Sequence, residues 1–238
     1  MGTNYSPNIV TTGLSYCFDA ADTNSVPLTA TASGTHNITD ISGTHPSGST
    51  TTTAQLSGSG ASSEGRYWLN FSADTMNIGD NPTFQAADSG KMYQTIEMWY
   101  RPISTKGSCC DRIFGRYHFQ FFQISGTLYF MHGVVVDETG VYQHPTTSVT
   151  AGQWHHVVGT REDDNGTDKF RWYINNGRVL NQAYNSGANL WNYVNQEYGM
   201  AASGHPSVDI AVARMYNRSF SANEVNQNFE AQRDRFGV

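Results

Sequence analysis

Glycoside hydrolysis needs two carboxyl groups facing one sugar, about 5 to 9.5 Å apart depending on mechanism. The alternating stretch Thr95-Ile96-Glu97-Met98-Trp99-Tyr100 carries one acid, Glu97. Alone on a strand, such a residue reads as solvated or hydrogen-bonded. Nucleophilic chemistry has no firmer footing. There is no Gly-x-Ser-x-Gly elbow, and the vicinal pair Cys109-Cys110 follows Lys106-Gly107-Ser108 in a turn. Its charged neighbours Lys106, Asp111 and Arg112 bear only modestly on a thiol pKa. A catalytic cysteine also needs a partnered histidine, and none can be placed from sequence. Free thiols are the simpler reading.

Metal chemistry has two candidate places. His155 and His156 are adjacent on a strand, so they point to opposite faces and cannot easily share one ion. Asp163-Asp164-Asn165-Gly166-Thr167-Asp168 is the most acidic segment. Its oxygens suit Ca2+, which takes six to eight oxygen ligands. That makes Asp163, Asp164, Asn165 and Asp168 candidate calcium ligands. The same residue types between two strands also make an ordinary turn, the preferred reading, and EF-hand spacing is absent. Ca2+ is the one cofactor the sequence suggests. For recognition, Tyr184, Trp191, Tyr193 and Tyr198 lie among Asn185, Asn189, Asn192 and Asn195. A loop rich in Tyr, Trp and Asn suits binding of a glycan or a protein partner, or else packs onto the body of the fold.

The 238 residues carry 14 basic and 20 acidic side chains, a formal net charge of −6. Charged residues make up 14% of the chain, against about 25% in an average domain. Thr (24), Ser (22), Asn (19) and Gly (23) together supply 88 residues, so hydroxyls and amides do most of the solubilising. No apolar run approaches the ~18 residues of a membrane span. The mild acidity and lack of a Lys/Arg cluster argue against nucleic acid. Met1 to Pro7 shows no basic region followed by an apolar run, so no secretion signal is visible. With no such signal, the five Asn-x-Ser/Thr triplets read as chance.

The elements that must position these residues are mostly strands. Period-two alternation marks Thr95 to Tyr100, His118 to Ile124, Thr127 to His132, Gln153 to Arg161, Phe170 to Ile174 and Val208 to Tyr216. In the last, Val208, Ile210, Val212 and Arg214 would share a face. Ser125-Gly126 and Asn175-Asn176-Gly177 read as tight hairpin turns. Trp99, Trp154 and Trp172 would fill the core between the sheets. One helix is expected at about 222–236. Ser221 and Glu224 form a capping box, and Val225, Phe229 and Gln232 or Phe236 make a stripe. Sixteen of the 22 residues at 42–63 are Ser, Thr or Gly, which reads as a surface loop. The whole reads as a single domain, 1–238. It is all-β, a two-sheet antiparallel sandwich with one C-terminal helix.

Thr95-Ile96-Glu97-Met98-Trp99, then Gln153 to Thr160, then Trp172-Tyr173-Ile174-Asn175-Asn176-Gly177 come in the order seen in laminin G-like, concanavalin A-like jelly rolls. The stretch Ile210 to Val225, with Tyr216-Asn217-Arg218-Ser219-Phe220-Ser221 and Glu224, resembles that family's terminal strand and helix. Thr12 to Ala21 and Asp40-Ile41-Ser42-Gly43 resemble the opening of a subset common in marine bacteriophage structural genes. The resemblance covers nearly the whole chain and is weakest at 44–94. It implies a jelly roll, and a structural role for His155-His156. Jelly-roll glucanases carry Glu-x-Asp-x-x-Glu or Glu-x-Asp-x-Glu on one strand. Here Trp99 stands at the second acid, and Arg101 and Pro102 at the third, so no catalytic residue is expected.

This fold hosts many functions. The expectation is a non-enzymatic virion structural protein, a bacteriophage capsid decoration or head/tail appendage. Its partners would be capsid or other virion proteins. Such proteins usually assemble symmetrically, so a homo-oligomer, a trimer or ring, is expected. The alternative is a lectin-like, glycan-binding receptor-recognition module. A carbohydrate-active enzyme ranks third.

Overall fold

The computed structural model describes residues 8–31, 33–44, 49–59, 66–71, 75–79, 93–103, 111–116, 119–124, 127–134, 141–143, 146–164, 167–185, 198–200 and 207–238. Along them run β1 (Leu14–Asp19), β2 (His36–Thr39), β3 (Ser49–Thr52), β4 (Gln55–Ser59), β5 (Arg66–Phe71) and β6 (Met76–Gly79). Next come β7 (Tyr93–Pro102), β8 (Asp111–Arg116), β9 (Phe119–Ile124), β10 (Thr127–Val134), β11 (Val141–Gln143) and β12 (Thr146–Ser148). Then β13 (His155–Asp164), β14 (Thr167–Ile174), β15 (Gly177–Asn185), β16 (Tyr198–Met200), β17 (Val208–Tyr216) and α1 (Ala222–Phe236) complete the fold.

The strands form two antiparallel sheets, a sandwich of the jelly-roll class. One has eight strands in the order β15-β14-β13-β7-β17-β5-β4, with β1 also on β17. The other has nine, in the order β11-β10-β9-β8-β16-β6-β3-β2, with β12 on β10. Ile96, Met98, Tyr100, Val157 and Trp172 of the first sheet meet Ile113, Phe114, Phe121, Leu128 and Phe130 of the second in the main core. The sheets approach so closely at Gly159 that a Cβ there would enter the Phe130 ring.

The Asn175-Asn176-Gly177 turn is borne out, and so is the β9–β10 hairpin, whose turn residues Ser125 and Gly126 lie outside the described residues. Asn175 (φ 45°) and Asn176 (φ 65°) occupy the left-handed region between Ile174 and Gly177, which pair. Positive φ at both central residues lets such a turn follow the twist of the strands. β9 and β10 pair from Ile124↔Thr127 onward, on either side of Ser125-Gly126. The helix starts at its capping box, with Glu224 N–H donating to Ser221 Oγ and Ser221 N–H donating to Glu224 Oε2.

Three expectations need correction. Residues 42–63 hold two strands, β3 and β4, rather than one loop. Threonine is β-branched and favours extended backbone; Thr50 pairs with Ile38, and Ala54 and Leu56 enter the core. Val208, Ile210, Val212 and Arg214 do not share a face. A bulge between Ile210 and Val212 inverts the alternation, because the extra residue shifts every later side chain by one. Val208, Ile210, Ala213 and Met215 therefore face the other sheet, and Ala211 and Val212 face away. Of the three tryptophans, Trp172 alone sits between the sheets. Trp99 and Trp154 lie on the outer face of the eight-stranded sheet, against Phe229 and Phe236 of α1.

Candidate functional site

Alternation along β7 sends Ile96, Met98 and Tyr100 inward and Glu97 and Trp99 outward, under α1. The register β13-β7-β17 sets Val158 and Arg214 beside Glu97, with His156 two pairs further along and so on the same face. Glu97 is fully buried, and four donors converge on its carboxylate. Oε1 takes His156 Nε2 (2.8 Å) and Arg214 Nη1 (3.2 Å); Oε2 takes Asn228 Nδ2 (2.8 Å) and the Tyr216 hydroxyl (3.2 Å). An ionised carboxylate only accepts, so His156 must carry its hydrogen on Nε2.

Burial by itself would raise the Glu97 pKa. The Arg214 charge and the His156 and Asn228 hydrogen bonds outweigh it and hold the carboxyl down at about 2. Burial would lower the Arg214 pKa, and the Glu97 charge raises it instead. Tyr216 stays a donor because burial, then the same carboxylate, raises its pKa well above the ordinary phenol value. Cys17, opposite Arg214 on β1, is pushed up to about 12, chiefly by burial. It is a packed thiol rather than a nucleophile.

The helix supplies the other half of this cluster from positions 228, 232 and 235, spaced four and three residues apart on one face. Asn228 binds Glu97 and accepts the Val10 amide (2.7 Å). Gln232 accepts Arg214 Nη1 (3.1 Å). Arg235 forks onto both oxygens of Asp19 (2.9 and 3.0 Å). Trp99 is the apolar floor, 4.2 Å from the Phe236 ring centre. The cluster therefore bolts α1 to the sheet. Glu97 is hydrogen-bonded as expected for a lone acid, and buried rather than solvated. Saturated and ionised, it has neither a proton to give nor an open face for a substrate.

The motifs that carried the resemblance also prove to be fasteners. Arg218 binds the Thr12 carbonyl (2.7 Å) and Glu224 (2.6 Å). Thr95 Oγ donates to the Arg218 carbonyl and accepts the Phe220 amide. Gly13 (φ 77°) lies so close to Asn217 that a Cβ would stand 2.7 Å from its Oδ1. Asp40 accepts the amides of Cys17 and Ser42.

A cleft of about 370 Å3 opens on the outer face of the eight-stranded sheet, lined by Ser57, Trp68, Asn70, Arg101, Pro102, Ile103, Gly152 and Asp209. The pairings Asn70↔Asp209 and Asp209↔Arg101 put three polar side chains in one row across β5, β17 and β7. The Asp209 carboxylate, nearly inaccessible, takes Asn70 Nδ2 (2.8 Å), Arg101 Nε (2.8 Å) and Arg101 Nη2 (2.5 Å). The guanidinium lies 4.5 Å from the Trp68 ring centre and 5.0 Å from that of Trp154. Sequence reading missed this cleft. Its signal was the alternation Tyr67-Trp68-Leu69-Asn70-Phe71, with Leu69 and Phe71 in the core and Trp68 and Asn70 on the other face.

The residues singled out for binding fall elsewhere. Tyr184 is on β15 of the eight-stranded sheet and Tyr198 on β16 of the other, so the two are not in one sheet. Trp191 and Tyr193 lie outside the described residues, as do Asn165, Cys109 and Cys110. The β13–β14 hairpin pairs Asp163 with Asp168 and Asp164 with Thr167, and β15 sets Tyr184 opposite Asp168. Among the described residues, no group of three or more His, Cys, Asp or Glu could hold a metal ion. His156 is committed to Glu97, and His155 lies on the opposite side of its strand, beside Tyr100.

Solved structures share the fold at low identity. Domain 4 of AbnA, an extracellular arabinanase from Geobacillus stearothermophilus, in complex with arabinotriose, is 13% identical with a TM-score of 0.55. The match covers 92% of this chain and 98% of that one. The receptor-binding domain of botulinum neurotoxin D is 11% identical with a TM-score of 0.62, over 93% of this chain and 53% of that one. Trypanosoma rangeli sialidase in complex with the inhibitor DANA is 13% identical with a TM-score of 0.62, over 100% and 36%. This chain thus spans about half of the toxin domain and about a third of the sialidase. Enzymes and binding domains both use the fold. Among curated protein sequences, none matches. The family model of the concanavalin A-like lectin/glucanases superfamily matches residues 72–226. That is more than half of the sequence, and the chain belongs to this superfamily.

Proposed function

We propose that this chain is a non-catalytic recognition module that binds carbohydrate. The observation that carries the reading is the state of Glu97. The one acid on the strand where glucanases of this fold carry theirs is ionised, enclosed by four donors and covered by α1. The groups bonded to it are an imidazole, a guanidinium, an amide and a phenol, with no second carboxylate on it among the described residues to make the pair that glycoside hydrolysis requires. The arabinanase domain that matches over nearly its full length is recorded with arabinotriose, which supports a sugar as the ligand class. A glycan array, with analysis of the bound sugars for cleavage, tests both halves. Saturable binding with the glycan intact is the expected result.

A second reading concerns where the module works. The likeness of Thr12 to Ala21 and Asp40 to Gly43 to bacteriophage structural genes, together with a composition rich in hydroxyls and amides and poor in charge, supports a virion setting. There the chain would decorate the capsid or form a head or tail appendage, as a trimer or ring against other virion proteins. Copies of the chain per purified particle test this. Hundreds, in proportion to the shell protein, are expected for decoration, and none would refute the setting.

A further inference from the structure

We propose that the cleft between Trp68, Asn70, Arg101, Ile103 and Asp209 binds an uncharged sugar ring. This rests on the carbohydrate-binding reading and assigns that ligand a place and a chemical class. The polar row fits hydroxyl recognition. Sugar hydroxyls both donate and accept, and are best met by planar side chains held in one orientation. Here the guanidinium is fixed twice, by Asp209 in its plane and by the Trp68 and Trp154 rings beside it. Asp209 is fixed by Asn70 and Arg101 from two sides. Preorganised groups of this kind lose little freedom when a ligand arrives.

The charge balance decides the class. Among the described residues, Arg101 is the one cation lining the cleft and Asp209 the one anion, and they are paired at 2.5 Å. Two of the five guanidinium donors are spent on that carboxylate, and the pair presents no net charge to a sialic acid, sulfate or phosphate. The remaining walls are apolar or small. Trp68 is half-buried and offers indole surface to the C–H face of a sugar ring. Ile103 is 42% exposed, one of three large apolar side chains among the described residues that stand in water. Gly152 (φ 80°) has open space where a Cβ would project, and its amide is tied to the Pro102 carbonyl (2.8 Å). At about 370 Å3 the cleft is at the small end of ligand sites, which begin at about 300 Å3, and suits one or two rings.

The test screens the full chain on an array of neutral, sialylated and sulfated oligosaccharides. Each hit is then titrated calorimetrically against the wild type, Trp68→Ala and Ser57→Trp. Ser57 lies opposite Trp68 in the β4–β5 register and lines the cleft, so a large side chain there fills the space without deleting a contact. The expected result is a neutral hit whose Kd weakens at least about tenfold in both variants. Unchanged affinity in Ser57→Trp would overturn the cleft and leave carbohydrate binding standing. Hits confined to charged glycans would overturn the neutral class. An empty array would overturn the carbohydrate reading, and this proposal with it.

Discussion

Replacing Glu97 by glutamine removes one charge from beneath α1 and almost no volume. Glu97 holds its proton only below about 2, against an ordinary carboxyl value of 4.5. That difference corresponds to about 3 kcal/mol of stability at neutral pH. A similar figure, about 3–5 kcal/mol, follows from stripping one partner from a buried ion pair. Arg214 would be left buried with its Gln232 hydrogen bond and without the carboxylate it is bonded to. Each kcal/mol moves Tm by about 2–4 °C in a chain of this size, so Glu97→Gln is expected to melt roughly 6–12 °C lower.

The pH dependence has a definite sign. Folding lowers this pKa, so the stabilisation is complete above about 4.5 and is lost as pH falls toward about 2. Urea melts of wild type and variant at pH 7, 4 and 3 should therefore converge as the solution is acidified. Adding Arg214→Met to the variant should recover part of the loss, since replacing a whole buried pair by apolar groups is far cheaper than breaking it. Equal stability of wild type and Glu97→Gln at pH 7, or a difference that stays constant down to pH 3, would refute this account of how the helix is held.

Three further outcomes are expected. Gly159→Ala drives a methyl into the Phe130 ring and should cost about 1–3 kcal/mol in a denaturant melt, partly restored by Phe130→Leu. Ser221→Ala removes the capping hydroxyl and should cost about 1 kcal/mol, read in the same way. Asn176→Val puts a β-branched residue at φ 65° and should destabilise by about 1–2 kcal/mol, whereas Asn176→Gly should not.

Local signals in the sequence translated directly into structure. The Asn175-Asn176-Gly177 turn and the Ser221–Glu224 capping box each depend on residues within four positions of one another, so a single stretch of chain contains all their determinants. The last strand was legible as a strand and illegible in its orientation. Every residue of β17 is buried, with core on one side and α1 on the other, so the polarity alternation that reveals a face is missing. The bulge after Ile210 then inverts the faces without any Gly or Pro to announce it. Trp99 reads as a residue of the inter-sheet core for the same reason: a helix covering the outer face gives that face its own apolar demand.

Binding chemistry was less legible than fold. The Glu97 cluster draws its parts from β7, β13, β17 and α1, and the cleft draws Asn70, Arg101 and Asp209 from three strands far apart in sequence. Sequence spacing says nothing about which of them the register will align. That β7 carries no acid besides Glu97 could be read from the chain. The reason for keeping that one acid, to anchor a helix more than 120 residues later, could not.

The central claim, binding without cleavage, is tested most directly by one titration analysed twice. Arabinotriose and the best neutral array hit are titrated into the full chain, and the same samples are then examined by mass spectrometry after prolonged incubation. The account predicts saturable binding to at least one of these sugars, with every bound sugar recovered intact. Hydrolysis products from the wild type, and above all products that persist in Glu97→Gln, would contradict it.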